Sequence, residues 1–316
     1  WKFKILVSDT LPYEKSWITK LTNAHSLSEI ELKELDLEFT LHLSKIILSF
    51  IHKNQISNID FISSHGHTVF HEPKKQITYQ IGNRVELNNL TNLPVVCDFR
   101  IQDVQLGGQG APLVPIGDLL LFSDYSHCLN LGGFSNISVK SNNNIIAYDI
   151  CPVNIVLNKY SRSIGFEFDM EGQISKSGNI NEHLLKELNE ISYYHLTHPK
   201  SLGLEWVDNK IFPLIDSFKI SVEDVLRTYV EHIAIQISNN LKGDNLKILI
   251  SGGGSKNKFL MERIKKLSKR NLEIISENIT DYKEALIFGF LGVLRIRNEN
   301  NCLKSVTRAD KDHSSV

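Results

Sequence analysis

Apolar positions in this chain follow two alternating rhythms. Leu32, Leu35, Phe39, Leu43, Ile46, Ile47 and Phe50 recur at helical spacing behind Ser28-Glu29-Ile30-Glu31, which has the spacing of a capping box; a long amphipathic helix is predicted there, as scaffold. Short apolar runs bounded by glycine, proline or asparagine predict strands instead. These runs are Trp1 to Val7, Ile59 to Ser63, Gln76 to Asn83, Pro94 to Cys97, Leu246 to Ile250 and Leu272 to Ser276. Further helices are predicted at Asn179 to Glu190, Asp208 to Phe218, Ser221 to Leu241, Phe259 to Lys269 and Ala285 to Arg297, with shorter ones after Gly82 and Pro115.

The stretch from Cys128 to Asn154 organises the remainder. An apolar run, the Gly132-Gly133 turn, a second run through Asn136 to Val139, an asparagine-rich turn at Ser141 to Asn144 and a third run predict three short strands joined tightly. The third strand is expected to end at Asp149, with Pro152 in the first turn of a helix through Ile155, Val156, Leu157 and Tyr160. That arrangement puts a carboxylate at a strand exit beside a helix N-terminus, a common station for a catalytic acid or base.

Composition narrows the class. At 316 residues the chain is long enough for two lobes with a cleft between them. With Lys+Arg 35 against Asp+Glu 36 and no dense basic run, a nucleic-acid partner is not expected. Cys97, Cys128, Cys151 and Cys302 are widely spaced, so free thiols in a reducing compartment are expected, without a disulfide framework or zinc motif. No apolar run approaches the length of a membrane span, and a cytoplasmic protein is the expectation. The first residue is Trp1, inside what reads as a strand, and a preceding segment is expected.

Several loops carry candidate chemistry. Ser64-His65-Gly66-His67-Thr68 follows a strand, the usual address of a ligand site in an α/β protein; the two histidines lack further ligands nearby, and no metal is assigned to them. Asp98 and Arg100 past a strand end read either as holders of a polar ligand or as an exposed ion pair. Leu106-Gly107-Gly108-Gln109-Gly110-Ala111-Pro112-Leu113-Val114-Pro115 reads as a loop of close backbone approach or as a plain surface loop. Ser251-Gly252-Gly253-Gly254-Ser255-Lys256-Asn257 between a strand and a helix offers amides to a nucleotide, although it is neither a P-loop nor a dinucleotide fingerprint. Glu284 reads as a first-turn acid favourable to the helix dipole, or as a site residue.

Glycine turns in mid-chain and late in the chain, with an acid between them, resemble the sugar-kinase and actin superfamily. Ser64 to His71, Asp98 to Arg100, Leu106 to Pro115, Leu129 to Asn136, Asp149 to Asn154, Ser251 to Asn257, Glu284-Ala285 and Ser305-Val306-Thr307 further resemble, in order, the motif series of the anhydro-N-acetylmuramic acid kinases. The resemblance covers nearly the whole chain, and the Gln109 loop is its most specific part. It implies an α/β, two-lobed, actin-like ATPase (RNase H-like) fold with a central cleft. Residues 1–125 would form the first lobe and 126–316 the second, the last helix packing back on the first. It implies one enzyme that opens the 1,6-anhydro ring with water and phosphorylates O6 with ATP and Mg²⁺, giving N-acetylmuramic acid 6-phosphate in cell-wall recycling.

On this resemblance Asp149 is the general base. His65, Gln80, Arg100, Gln109, Asn154 and Glu284 bind the sugar, Gly132, Gly133 and Asn136 approach the phosphates, and Gly252, Gly253, Gly254 and Asn257 serve the nucleotide. The sequence leaves a homodimer open. It departs from the family pattern at His67, where glutamine is usual, at Cys151 and Val153, where glycines flank the proline, and at Leu204, where a basic residue is common. The family's first phosphate loop, Met-Ser-Gly-Thr-Ser-x-Asp-Gly, has no counterpart in this sequence, so the chain as it stands is expected to bind ATP poorly. A non-catalytic sugar-binding descendant is the alternative. A glycosidase using Asp149 and Glu284 as a carboxylate pair ranks behind both, because it gives the glycine turns no purpose.

Overall fold

The computed structural model describes residues 1–141, 144–243 and 245–315; the predicted Asn142-Asn143 turn lies outside them. The chain divides into two compact units, one of Trp1–Leu121 with Glu284–Val316 and the other of Phe122–Lys283.

The first unit is built on the helix Glu29–Lys53, where the capping box forms as predicted: the Ser28 hydroxyl accepts the Glu31 amide and the Glu31 carboxylate accepts the Ser28 amide. Leu32, Leu35 and Phe39 on its inner face pack with Trp17, Leu21 and Ile81. Burying each such side chain contributes roughly 1.5–3 kcal/mol. Asp36 sits buried on the same face and accepts the Gly82 amide at 2.7 Å and the Tyr79 hydroxyl at 2.9 Å, which pins the helix to the strand beside it. Two small sheets complete the frame. β1 (Ile62–Ser63) pairs in parallel with β4 (Val95–Val96), and β2 (His67–Glu72) pairs antiparallel with β3 (Ile77–Ile81). A separate core of Val96, Phe99, Leu113, Ile116, Ile287, Phe288 and Leu291 lies behind the Gln109 loop.

The second unit holds a five-stranded sheet in the order β7-β6-β5-β8-β9, with β5 His127–Leu131, β6 Phe134–Ser141, β7 Asn144–Pro152, β8 Ile248–Ser251 and β9 Leu272–Ile274. β5, β6 and β7 run antiparallel in sequence, whereas β5, β8 and β9 are parallel. Helix Val222–Asn240, capped by Ser221, buries Leu226, Tyr229 and Ile233 against Leu129, Ile137, Ile150 and Ile250 of the sheet.

Four local expectations change. Residues 1–7 form no strand: none of the described strands pairs with them, and Leu6 stays 80 % exposed. The strand expected from Ile59 contracts to β1. The helix expected from Ala285 spans Glu277–Ile296, so Glu284 stands past its second turn, beyond the reach of a first-turn dipole effect. β7 continues to Pro152, so Asp149 lies within the strand, Pro152 closes it, and the helix that follows is Asn154–Ser163. Among the described residues no helix is long and apolar enough to cross a membrane.

Candidate functional site

Each unit carries its own constellation. In the second, cross-strand register places Ser251 opposite Asn130, Asn130 opposite Asn136, and Asn136 opposite Asp149. Residues directly opposite one another share a face, so four polar side chains form one row across β8, β5, β6 and β7. A bulge at the Asp149 end sharpens this. Ser135 pairs with Cys151 and Asn136 with Asp149, which leaves Ile150 unmatched and re-aims the acid beside it.

The segment 193–202 clamps Asp149 from outside the sheet. Leu202 donates its amide to Asp149 Oδ2 at 2.8 Å, the Asp149 amide donates to the Lys200 carbonyl at 3.2 Å, and the Tyr193 hydroxyl donates to the Asp149 carbonyl at 2.8 Å. Lys200 in turn lies over the Tyr193 ring. The other carboxylate oxygen accepts no hydrogen bond from the described residues. Burial pushes the Asp149 pKa above the ordinary carboxylate value, opposed by the Leu202 amide. A carboxylate with one oxygen fixed, one free and a raised pKa is suited to take a proton near neutral pH. Sequence reasoning passed over Leu202 and Tyr193, because a backbone amide and a hydroxyl some fifty residues downstream leave no local signature.

The two glycine turns differ in kind. Gly252 has a φ of 84°, and a Cβ there would lie 2.5 Å from Asn130 Oδ1 and 2.7 Å from the Leu131 carbonyl carbon, so only glycine fits. The Ser251 hydroxyl before it is buried without a partner among the described residues. Gly132 and Gly133 have no left-handed φ, and their carbonyls accept the amides of Val153, Asn154 and Ile155. That turn holds the start of helix Asn154–Ser163. Asn154 donates through Nδ2 to the Leu131 carbonyl at 3.2 Å and lies against Gly254. Asn257 caps helix Lys258–Ser268 by accepting the Leu260 amide at 2.9 Å.

In the first unit, Arg100 gathers the other candidates. It donates from Nε and Nη2 to His65 Nε2 at 3.1 and 2.9 Å, and from Nη1 to the Gly110 carbonyl at 2.6 Å. Accepting at Nε2, His65 is the neutral tautomer with its proton on Nδ1, facing the Gly66 carbonyl at 2.9 Å. Burial and then the Arg100 charge hold its pKa below the ordinary histidine value. Burial likewise lowers the Arg100 pKa, against the opposing effect of Glu284, which is itself exposed. Asp98 turns away to accept from Asn83 Nδ2 at 3.1 Å.

Gly110 also lies against His71, whose ring meets Thr78 Oγ1 at 3.1 Å; Thr78 in turn accepts from Gln80 Nε2 at 2.9 Å. Gln80 is 5 % exposed and its Oε1 is buried with no partner among the described residues, an acceptor suited to a ligand hydroxyl. His65, Arg100, the Gln109 loop and Gln80 are therefore linked, with Thr78 and His71 as members that the sequence did not single out. Gln109 itself is exposed, and its amide donates to the Thr307 carbonyl at 2.7 Å.

A half-open carboxylate in a polar row beside a glycine-only turn is an arrangement that a phosphotransferase can use, and a phosphotransferase is the class to which family membership assigns the chain. Comparison makes the assignment particular. The profile described as anhydro-N-acetylmuramic acid kinase matches residues 2–315, and the chain belongs to that family. An anhydro-N-acetylmuramic acid kinase of Haemophilus influenzae is 33 % identical over 97 % of this chain and 88 % of its own, and one of a Sulfurovum species is 36 % identical over 82 % and 74 %. Among solved structures, the activator of the 2-hydroxyisocaproyl-CoA dehydratase from Clostridium difficile with bound ADPNP reaches a TM-score of 0.37 at 14 % identity over 64 % of this chain and 75 % of that one, a likeness too slight to bear on the site.

Proposed function

We propose that the protein is a kinase that opens the 1,6-anhydro ring of anhydro-N-acetylmuramic acid with water and phosphorylates O6 from ATP, giving N-acetylmuramic acid 6-phosphate for cell-wall recycling. The observation that carries this reading is the unspent oxygen of Asp149 in a row of polar side chains. Asp149 takes a proton from the water that attacks the anomeric carbon. The bond from that carbon to O6 breaks, O6 attacks the γ-phosphorus, and ADP leaves. Phosphoryl transfer asks chiefly for positioning and charge neutralisation, so one base and fixed binding groups suffice.

The division of labour between the units is part of the proposal. Arg100, with His65, Gln80, Gln109 and Glu284, would hold the sugar and its lactyl carboxylate on the first. On the second, Gly132, Gly133, Asn136 and the Gly252 to Gly254 turn would serve ATP; Asn154 and Asn257 would act there by holding the turns in shape. Mg²⁺ arriving with ATP supplies charge neutralisation on the phosphates, and the Asn136 side-chain oxygen, a hard donor in the same row, would help to hold it. Four free cysteines accord with a cytoplasmic setting. The test is the mass of the sugar product when the full-length protein receives anhydro-N-acetylmuramic acid and Mg-ATP in ¹⁸O water. One ¹⁸O at the anomeric carbon with a phosphate at O6 is expected; a phosphorylated product without label, or no turnover, overturns the reading.

A further inference from the structure

Behind the Gln109 loop lies a second cluster that the proposed reaction does not use. Cys302 and His313 face each other across an antiparallel backbone bridge, with Cys302 donating its amide to the His313 carbonyl at 3.0 Å and His313 donating back at 3.2 Å. A hydrogen-bonded pair of this kind presents both side chains to one face. Both point at Asp103 on helix Ile101–Gln105, and one ligand atom from each of the three lies within 4.8 Å of the others. All three residues are buried, at 0 % exposure for Asp103, 2 % for Cys302 and 4 % for His313.

The histidine's orientation is informative. Its Nδ1 faces the Lys311 carbonyl at 3.1 Å, and a carbonyl only accepts, so the ring proton of the neutral form is on Nδ1. Nε2 then presents a lone pair to Asp103 Oδ1 at 3.5 Å and has no hydrogen-bond partner among the described residues. Two lone pairs facing each other in a dry interior repel unless a proton or a metal ion lies between them. A backbone carbonyl on the far nitrogen is also how metal-binding histidines are usually oriented.

We infer that Asp103, Cys302 and His313 bind a thiophilic divalent ion of the zinc class. Thiolate, imidazole and carboxylate are the ligand types of that ion, and the 3.5 Å between Asp103 and His313 fits the roughly 3.3–3.8 Å between neighbouring ligands implied by tetrahedral bonds of about 2.0–2.3 Å. On binding, the Cys302 thiol releases its proton to solvent, and thiolate plus carboxylate balance the 2+ charge beside a neutral imidazole. A water or the second Asp103 oxygen completes the coordination. The role is structural. Asp103 Oδ2 accepts the Gly110 amide at 2.7 Å and Oδ1 the Thr307 hydroxyl at 2.6 Å, so an ion there ties the C-terminal segment to the glycine loop.

The inference is independent of the kinase reading, and its test needs no turnover. The full-length protein, freed of metal with a chelator and desalted, is titrated with Co²⁺ and then with Zn²⁺, while the near-ultraviolet thiolate-to-cobalt band, bound metal and thermal midpoint are followed. About one equivalent bound, a charge-transfer band displaced by Zn²⁺ and a raised midpoint are expected, with Mg²⁺ producing none of these. Cys302→Ser should abolish the band and His313→Ala should weaken Co²⁺ binding at least about tenfold, while Cys97→Ser keeps both. Absence of the band in the wild-type protein, which needs no variant to fold, overturns the inference, as does a band that persists in Cys302→Ser.

Discussion

The Arg100 cluster and the Asp149 clamp treat polar groups in opposite ways. Around Arg100, each nitrogen of the guanidinium donates once, to His65 or Gly110, which leaves two of its five N–H groups for a ligand, and the network runs on through His71 and Thr78 to Gln80. Around Asp149, three backbone contacts fix the residue and one carboxylate oxygen is left without a protein partner among the described residues. A network of many bonds keeps a shape; an open valence on a lone carboxylate keeps a reactivity. On the proposed reading the difference matches binding to the first region and chemistry to the second, which residue type alone would not do, since arginine, histidine and aspartate all serve in either capacity.

The contrast breaks most sharply at Asp149. Asp149→Asn keeps the shape and removes the base, so kcat should fall by about 10²–10⁴-fold with ATP affinity retained; a fall smaller than about tenfold would show that another group takes the proton. In the wild-type protein the base works only when ionised, so kcat/KM should be low in acid and climb as pH rises through a pKa above the ordinary carboxylate range. A flat acid limb in a pH–rate series would remove Asp149 from that role.

Arg100→Lys tests the other side. A lysine cannot serve His65 Nε2 and the Gly110 carbonyl with a planar fork, and the expected result is a rise in KM for the sugar of roughly tenfold with a much smaller change in kcat. Equal losses in both constants would move Arg100 into the chemical step.

The smallest effect is on stability. A raised pKa means that the folded state disfavours the ionised acid, so Asp149 costs stability as pH rises from its unfolded to its folded pKa, and the cost persists above. Asp149→Asn should therefore unfold at a slightly higher temperature at pH 7 and lose that advantage in acid. A lower midpoint at pH 7 would mean that the ionised carboxylate is part of what holds segment 193–202 in place.

Much of this was legible in the chain because it is local. Ser28 with Glu31 announced the long helix, and the run from Leu129 to Asp149 announced three strands. Register, by contrast, is not written locally. The alignment of Ser251, Asn130, Asn136 and Asp149 depends on which strands pair and on a one-residue bulge, and Asn130 and Ser251 were not singled out. Nothing in the helix pattern marks Asp36 as the residue on which Gly82 and Tyr79, more than forty positions away, close. Asn257 and Gly132-Gly133 show the converse. Residues that read as ligand contacts also serve as helix caps, because the groups that cradle an anion are the ones that satisfy a helix start.

Asp149 and the amide that restrains it are separated by more than fifty positions, and the stretch that delivers the amide, residues 196–203, belongs to neither strand nor helix. The acid's proton affinity can thus be retuned by evolution or design through the length and sequence of residues 196–203, with the sheet and the acid untouched. Two proteins sharing every residue from 128 to 154 could then have different pH optima, and the cause would lie in a stretch that an alignment of motifs discards.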